Sequence, residues 1–152
     1  MTLTQKETSL LNDLKSQEQL CIEKYRKYSE LACDTALKNI FTTLGTNEQK
    51  HLDTITEMLA GKEVTMPAAT PSAKDSVTAC TPSSCPENAK QNDAYLAKDA
   101  LAMEKHVSAT YNTATFEFSC PTLRDTLAHI QKEEQNHGEQ LYSYLSCNNM
   151  YS

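Results

Sequence analysis

The chain has 152 residues, a formal net charge of -6, three glycines and no tryptophan. That is the size of one domain with a real core, and the acidic balance argues against nucleic acid or an anionic membrane surface as the main partner. No apolar run approaches the roughly 18 residues of a membrane-spanning helix, and the start MTLTQKETSLLNDLK lacks the apolar core of a signal peptide, so synthesis in the cytoplasm is expected.

Apolar positions at helical spacing mark the first segment, from about Thr4 to Ala32: Leu10 or Leu11, Leu14, Cys21 or Ile22, Tyr25, Tyr28 and Ala32. Asp34 is placed to cap a second helix whose stripe is Leu37, Ile40, Phe41, Leu44, Ile55 and Leu59 and which ends at Gly61. From Gly61 to Pro86 the composition changes. Pro67, Pro71, Pro82 and Pro86 stand among Ala, Thr and Ser, so the stretch reads as an extended linker. A third helix is predicted from about Glu87 to Phe118, with Leu96, Ala100, Val107, Tyr111 and Ala114 on one face. Ser119, Cys120 and Pro121 supply a break, Pro121 being suited to a first helical turn. The fourth helix carries Leu123, Leu127, Ile130, Leu141, Tyr144 and Leu145 and is expected to fray into the polar tail CNNMYS. The predicted organisation is a single domain made of a hairpin over residues 4–60, a linker over 61–86 and a hairpin over 87–148.

Sliding residues 5–59 onto 91–145, an offset of 86, matches Gln5/Gln91, Leu10/Leu96, Asp13/Asp99, Glu18/Glu104, Tyr25/Tyr111, Leu37/Leu123, Glu48/Glu134, Gln49/Gln135, His51/His137 and Leu59/Leu145. These ten identities need no gap and exceed the roughly three expected from composition. The two hairpins are read as copies of one unit. If a two-fold axis relates them, the second and third helices run parallel and the linker must cross the bundle lengthwise. A helix of about 28 residues spans roughly 42 Å, and the linker can reach about 85 Å, so the crossing is feasible.

Each helix sets a metal-competent residue into its apolar stripe: Leu14-Glu18-Cys21-Tyr25, Leu44-Glu48-His51-Ile55, Ala100-Glu104-Val107-Tyr111 and Ile130-Glu134-His137-Leu141. Steps of three and four keep each set on the inward face. Glu18 and Glu48 are 30 residues apart about a midpoint at Cys33, and Glu104 and Glu134 repeat that spacing about Ser119. In antiparallel hairpins, both pairs fall at one height, about 22 Å from the turn. Four buried carboxylates cannot all stay ionised without compensation, and two divalent cations would balance them. One Glu from each of two helices plus Glu-x-x-His from each of the other two is the ligand logic of ferritin-like di-iron and di-manganese bundles. The expected cofactor is therefore two iron or two manganese ions per chain, ligated by Glu18, Glu48, His51, Glu104, Glu134 and His137, with Glu48 and Glu134 bridging. The plainer alternative is an inherited repeat whose polar residues are only hydrogen-bonded in the core.

Other polar residues receive plainer readings. His106 and His129 fall off the inward stripes and are expected at the surface, and Glu23, Glu57, Glu133 and Glu139 read as solvated. Tyr25 and Tyr111 are taken as core residues, support of the metal ligands being the alternative, and Cys21 as a small core residue. The six cysteines show no strong zinc pattern. Free thiols in a reducing compartment are expected, later crosslinking in an oxidising setting being the alternative.

The segments KETSLLNDLKSQEQLCIEKY, NEQKHLDTI, EKHVSATYNTATFEF, LRDTLAHIQKEEQNHGEQLYSYL and the ending NNMY resemble the spore coat protein F (coat F) family of spore-forming Gram-positive bacteria. The resemblance spans both hairpins and implies a ferritin-like fold and a spore-coat or sporulation setting, where the cysteines could later crosslink. The chain is unlike a full rubrerythrin: it lacks rubredoxin-type Cys-x-x-Cys pairs, and Val107 stands where a further carboxylate would sit one turn after Glu104. The fold class expected is thus all-α, a ferritin-like four-helix bundle with a long crossover. The function expected is a di-metal oxidoreductase acting on dioxygen or hydrogen peroxide, by peroxidase, catalase-like or ferroxidase-like chemistry. A structural coat protein stabilised by its metal is the alternative. Spore coat proteins are the macromolecular partners to consider, and a homodimer stays open.

Overall fold

The computed structural model describes residues 2–64 and 80–151; most of the expected linker, residues 65–79, lies outside the described residues. Four helices make up the described chain: α1 (Gln5–Leu31), α2 (Thr35–Leu59), α3 (Glu87–Glu117) and α4 (Pro121–Cys147). Their ends follow local chemistry. α1 opens on a capping box in which Thr4 Oγ1 accepts from Glu7 N at 3.2 Å and Glu7 Oε2 accepts from Thr4 N at 2.8 Å. Asp34 accepts from Ala36 N at 2.9 Å to start α2, and the chain leaves that helix through Gly61 at φ 70°, which a side chain would disfavour. Pro121 occupies the first turn of α4.

α1 packs along α2 and α3 along α4, and the hairpins join through α1 against α3 and α2 against α4. A reciprocal clasp fixes their direction. Glu7, on the first turn of α1, accepts from Ser119 N at 3.0 Å in the α3–α4 turn. Asp93, on α3, accepts from Cys33 N and Asp34 N, both at 2.8 Å, in the α1–α2 turn. Positions 7 and 93 are themselves 86 apart, as are 33 and 119, so each hairpin caps the other's turn by the same rule. α1 and α3 are therefore antiparallel, and α2 and α3 run parallel. Val64 joins the core at the end formed by Leu11, Phe118 and Leu123, whereas Cys80 is bonded to Cys147 at the other end, so the end of the first hairpin and the start of the second lie at opposite ends of the bundle.

The core divides into two apolar clusters. One contains Leu11, Leu14, Ile55, Met58, Phe118, Leu123 and Ile130, and the other Phe41, Leu44, Leu96, Leu141 and Leu145. The residues between them along the helices, at one height, are the polar set described below.

Two expectations change. Free thiols hold for Cys21 and Cys120, but Cys33 is bonded to Cys85 and Cys80 to Cys147. The short segment before α3 is thereby tied both to the α1–α2 turn and to the end of α4. The C-terminal tail is also held rather than frayed. Asn148 Oδ1 accepts from Ser83 N at 2.8 Å, Met150 N donates to Leu145 O at 2.8 Å, and Asn149 takes the left-handed conformation (φ 54°) that such helix ends use.

Candidate metal centre

Glu18 comes from the middle of α1, Glu48 and His51 from α2, Glu104 from α3, and Glu134 and His137 from α4, and none is more than 2% exposed. The spacing of three within each Glu-x-x-His puts both side chains of α2, and both of α4, on the inward face. The two imidazoles stack with ring centroids 5.6 Å apart. Each turns Nδ1 toward the carboxylates. His51 Nδ1 lies 2.9 Å from Glu48 Oε2, 2.9 Å from Glu134 Oε1 and 3.9 Å from Glu18 Oε2. His137 Nδ1 lies 3.1 Å from Glu48 Oε1, 3.6 Å from Glu134 Oε2 and 3.6 Å from Glu104 Oε2. Glu48 and Glu134 thus meet both histidines, while Glu18 and Glu104 each meet one.

Two overlapping groups of donor atoms result, Glu18–Glu48–His51–Glu134 and Glu48–Glu104–Glu134–His137, each with its donor atoms within 4.8 Å of one another. All six residues singled out in the sequence are brought together. The donor set also fits a pair of cations electrostatically. Burial, together with the charges of Glu134 and Glu48, raises the Glu18 carboxyl well above its usual range, and burial with Glu134 pushes Glu104 to about 7. Burial opposes protonation of His51 and His137, yet the surrounding carboxylates win and raise both. Glu134 is buried and faces Glu48, but its contacts with His137 and His51 hold it low. Among the described residues, Glu18 Oε2 and Glu104 Oε2 are buried and accept no hydrogen bond, and the oxygens of Glu134 meet only the two imidazoles, the condition that bound cations would relieve.

The surroundings correct the sequence reading at two positions. Glu133, expected in solvent, is 6% exposed, and its Oε2 lies 2.8 Å from His51 Nε2. His129, expected at the surface, is mostly covered, with Nε2 3.8 Å from Glu133 Oε1. On a helix wheel Glu133 sits about 100° from Glu134, and the stripe alone does not assign it inward. Its repeat partner behaves in the same way. Asn47 stands 86 residues earlier, is 6% exposed, and places Nδ2 3.4 Å from His137 Nε2. The position preceding each Glu-x-x-His therefore faces the other hairpin's histidine.

Tyr25 and Tyr111, read first as core, are fully buried, but their hydroxyls donate across the bundle, Tyr25 to Glu104 Oε1 and Tyr111 to Glu18 Oε1. Burial and the adjacent carboxylates keep both phenols protonated. Cys21 lies on the same inward face, where burial keeps its thiol protonated, and it joins neither donor group. His106, Glu23, Glu57 and Glu139 are exposed, as expected.

A surface cleft of about 540 Å³ between α3 and α4, walled by Leu101, Ser108, Gly138 and Tyr142, reaches Glu104 and Glu134. A second cleft of about 490 Å³ lies between α1 and α2, but Glu18 and Glu48 are not among the residues that line it.

Four antiparallel and parallel helices with a lengthwise crossover and a central carboxylate–histidine set define a ferritin-like four-helix bundle. A solved two-domain protein from Anabaena variabilis, containing DJ-1/ThiJ/PfpI-like and ferritin-like domains, superposes with a TM-score of 0.70 at 18% identity, over 96% of this chain and 38% of that one. Residues 92–152 match the Coat F domain family. That match covers most of α3 and all of α4, a narrower span than the resemblance to both hairpins expected from the sequence; the first hairpin is joined to the second by the repeat. A search of curated proteins gave no significant match. Among the described residues no helix is long and apolar enough to cross a membrane.

Proposed function

We propose that this chain is a di-metal protein of the ferritin-like kind, associated with the spore coat, that reacts with hydrogen peroxide or dioxygen. The observation that carries the reading is the buried set of four glutamates and two histidines, in which Glu18 Oε2 and Glu104 Oε2 accept no hydrogen bond. Glu18, Glu48, His51 and Glu134 would hold one ion, and Glu48, Glu104, Glu134 and His137 the other. Two ferrous or manganous ions would supply two electrons, the number that reduces one peroxide to two waters with uptake of two protons, an external reductant restoring them. The chain's own part is to neutralise the pair with carboxylates, to fix Glu104 and Glu18 through the Tyr25 and Tyr111 hydroxyls, and to close the centre off along the bundle axis with the flanking apolar clusters. The Coat F match supports the spore-coat setting.

The test is anaerobic purification and reconstitution, metal analysis, then peroxide addition. Close to two Fe or Mn per chain with peroxide consumption is the expected result; less than about one-tenth of an ion per chain sinks the reading.

A structural reading is favoured by one observation, the two disulfides that anchor the segment before α3. There the metal would staple a coat component and its binding energy would appear as stability. The double substitution Glu48→Ala with Glu134→Ala separates the two. Loss of peroxide consumption in a folded protein supports chemistry; loss of folding, with no turnover in the parent, supports structure.

A further inference from the structure

The repeat makes the two halves of the centre look equivalent, and at the six donor residues they are. The residues behind the histidines differ. His51 Nε2 faces the carboxylate of Glu133 at 2.8 Å, whereas His137 Nε2 faces the amide of Asn47 at 3.4 Å. Both partners are 6% exposed, both reach across from the opposite hairpin, and they occupy equivalent positions of the repeat. A carboxylate behind a ligating imidazole accepts its remote proton, orients the ring and makes the ligating nitrogen more basic; the Asn47 amide, which turns Nδ2 toward the ring, offers a donor there and accepts no such proton. The approaches from solvent differ in the same sense. The α3–α4 cleft reaches Glu104 and Glu134, on the His137 side, past Gly138. The repeat partner of Gly138 is Leu52, and the cleft between α1 and α2 is not lined by Glu18 or Glu48.

We infer that the two cation positions are functionally distinct: the His51 position, backed by Glu133, holds a tightly bound ion, and the His137 position, backed by Asn47 and reached from the α3–α4 cleft, holds an exchangeable one. Glu133 is a positioning residue in this scheme, acting through His51. The exchangeable position is where a small oxidant or an incoming ferrous ion meets the centre. The inference rests on the metal-centre reading above.

The experiment is an anaerobic Mn²⁺ titration of the full chain with disulfides intact, the free ion followed by its electron paramagnetic resonance signal. Two resolved steps are expected, of one ion each. Glu133→Gln loosens the tighter step by about 10- to 100-fold and leaves the weaker step in place. Asn47→Asp, nearly isosteric, tightens the weaker step and narrows the gap between the two. Gly138→Leu, which brings the residue of the other hairpin into the cleft, slows release of the weaker ion alone. Two ions of equal affinity in the parent protein overturn the inference and leave the metal centre standing, as does equal weakening of both steps in Glu133→Gln. If Glu133→Gln does not fold, Asn47→Asp decides, because an unchanged weaker step in that variant overturns the proposal. No bound ion at all overturns the metal-centre reading itself.

Discussion

The hydroxyls of Tyr25 and Tyr111 link the two hairpins at the height of the centre, each crossing from one α1-type helix to the carboxylate on the other. A phenol that donates to a fully buried carboxyl group satisfies two polar groups at once, so its removal strands an acceptor in a medium that offers no water. Tyr111→Phe and Tyr25→Phe keep the ring packing and delete only that donor. Each is expected to cost the metal-free protein about 1–3 kcal/mol in urea unfolding, with the two costs similar because the repeat relates them. A loss below about 0.5 kcal/mol in both would mean the hydroxyls contribute nothing to the fold. At this scale the inward residues of each stripe were legible, because period alone places them. Glu133 and the tyrosine hydroxyls were not, because their partners lie on the other hairpin and no local spacing encodes a cross-bundle contact.

Among elements, the decisive contacts are the Glu7 and Asp93 clasps, which convert two separate hairpins into one bundle with a set direction. Asp93→Ala leaves the Cys33 and Asp34 N–H groups without their acceptor and is expected to lower unfolding stability by about 1–3 kcal/mol. Glu7 offers a pH readout. The backbone N–H groups of Thr4 and Ser119, with their hydroxyls, favour its ionised form against the cost of burial and lower its pKa from 4.5 to about 2. A depressed carboxylate stabilises the folded state above its unfolded pKa, and that contribution disappears as protons bind between pH 4.5 and about 2. The stability difference between the parent and Glu7→Gln should therefore be open at pH 6, shrink through that window and close near its lower end. A difference that stays constant from pH 6 to about 2 would show that charge on Glu7 is not what the clasp uses. Helix boundaries were readable from Thr4, Asp34, Gly61 and Pro121. The clasp escaped because Glu7 and Asp93, although in register in the repeat, are not identical residues, and the backbone groups each one caps lie on the other hairpin.

At the scale of the molecule, the two disulfides do what the helices cannot, which is to anchor the returning end of the crossover. Neither was legible: Cys33 and Cys85 are 52 residues apart, Cys80 and Cys147 are 67 apart, and both pairs depend on the end of the bundle at which residues 80–86 lie. The bundle's own packing does not depend on them, since the carboxylate–histidine set, both clasps and, Val64 apart, both apolar clusters lie on the four helices and their two turns. Reduction is thus expected to cost stability without dispersing the centre. Closing loops of this size removes about 4 kcal/mol of chain entropy from the unfolded state for each bridge, and because the two loops overlap the sum falls short of twice that. Thermal unfolding should accordingly shift down strongly in Cys33→Ser with Cys85→Ser, and in the fully reduced parent. Metal content per chain and the helical signal at 25 °C should be unchanged. If reduction instead empties the centre, the crossover rather than the clasps holds the hairpins in register. The bundle would then have to be regarded as two hairpins assembled by their covalent ties.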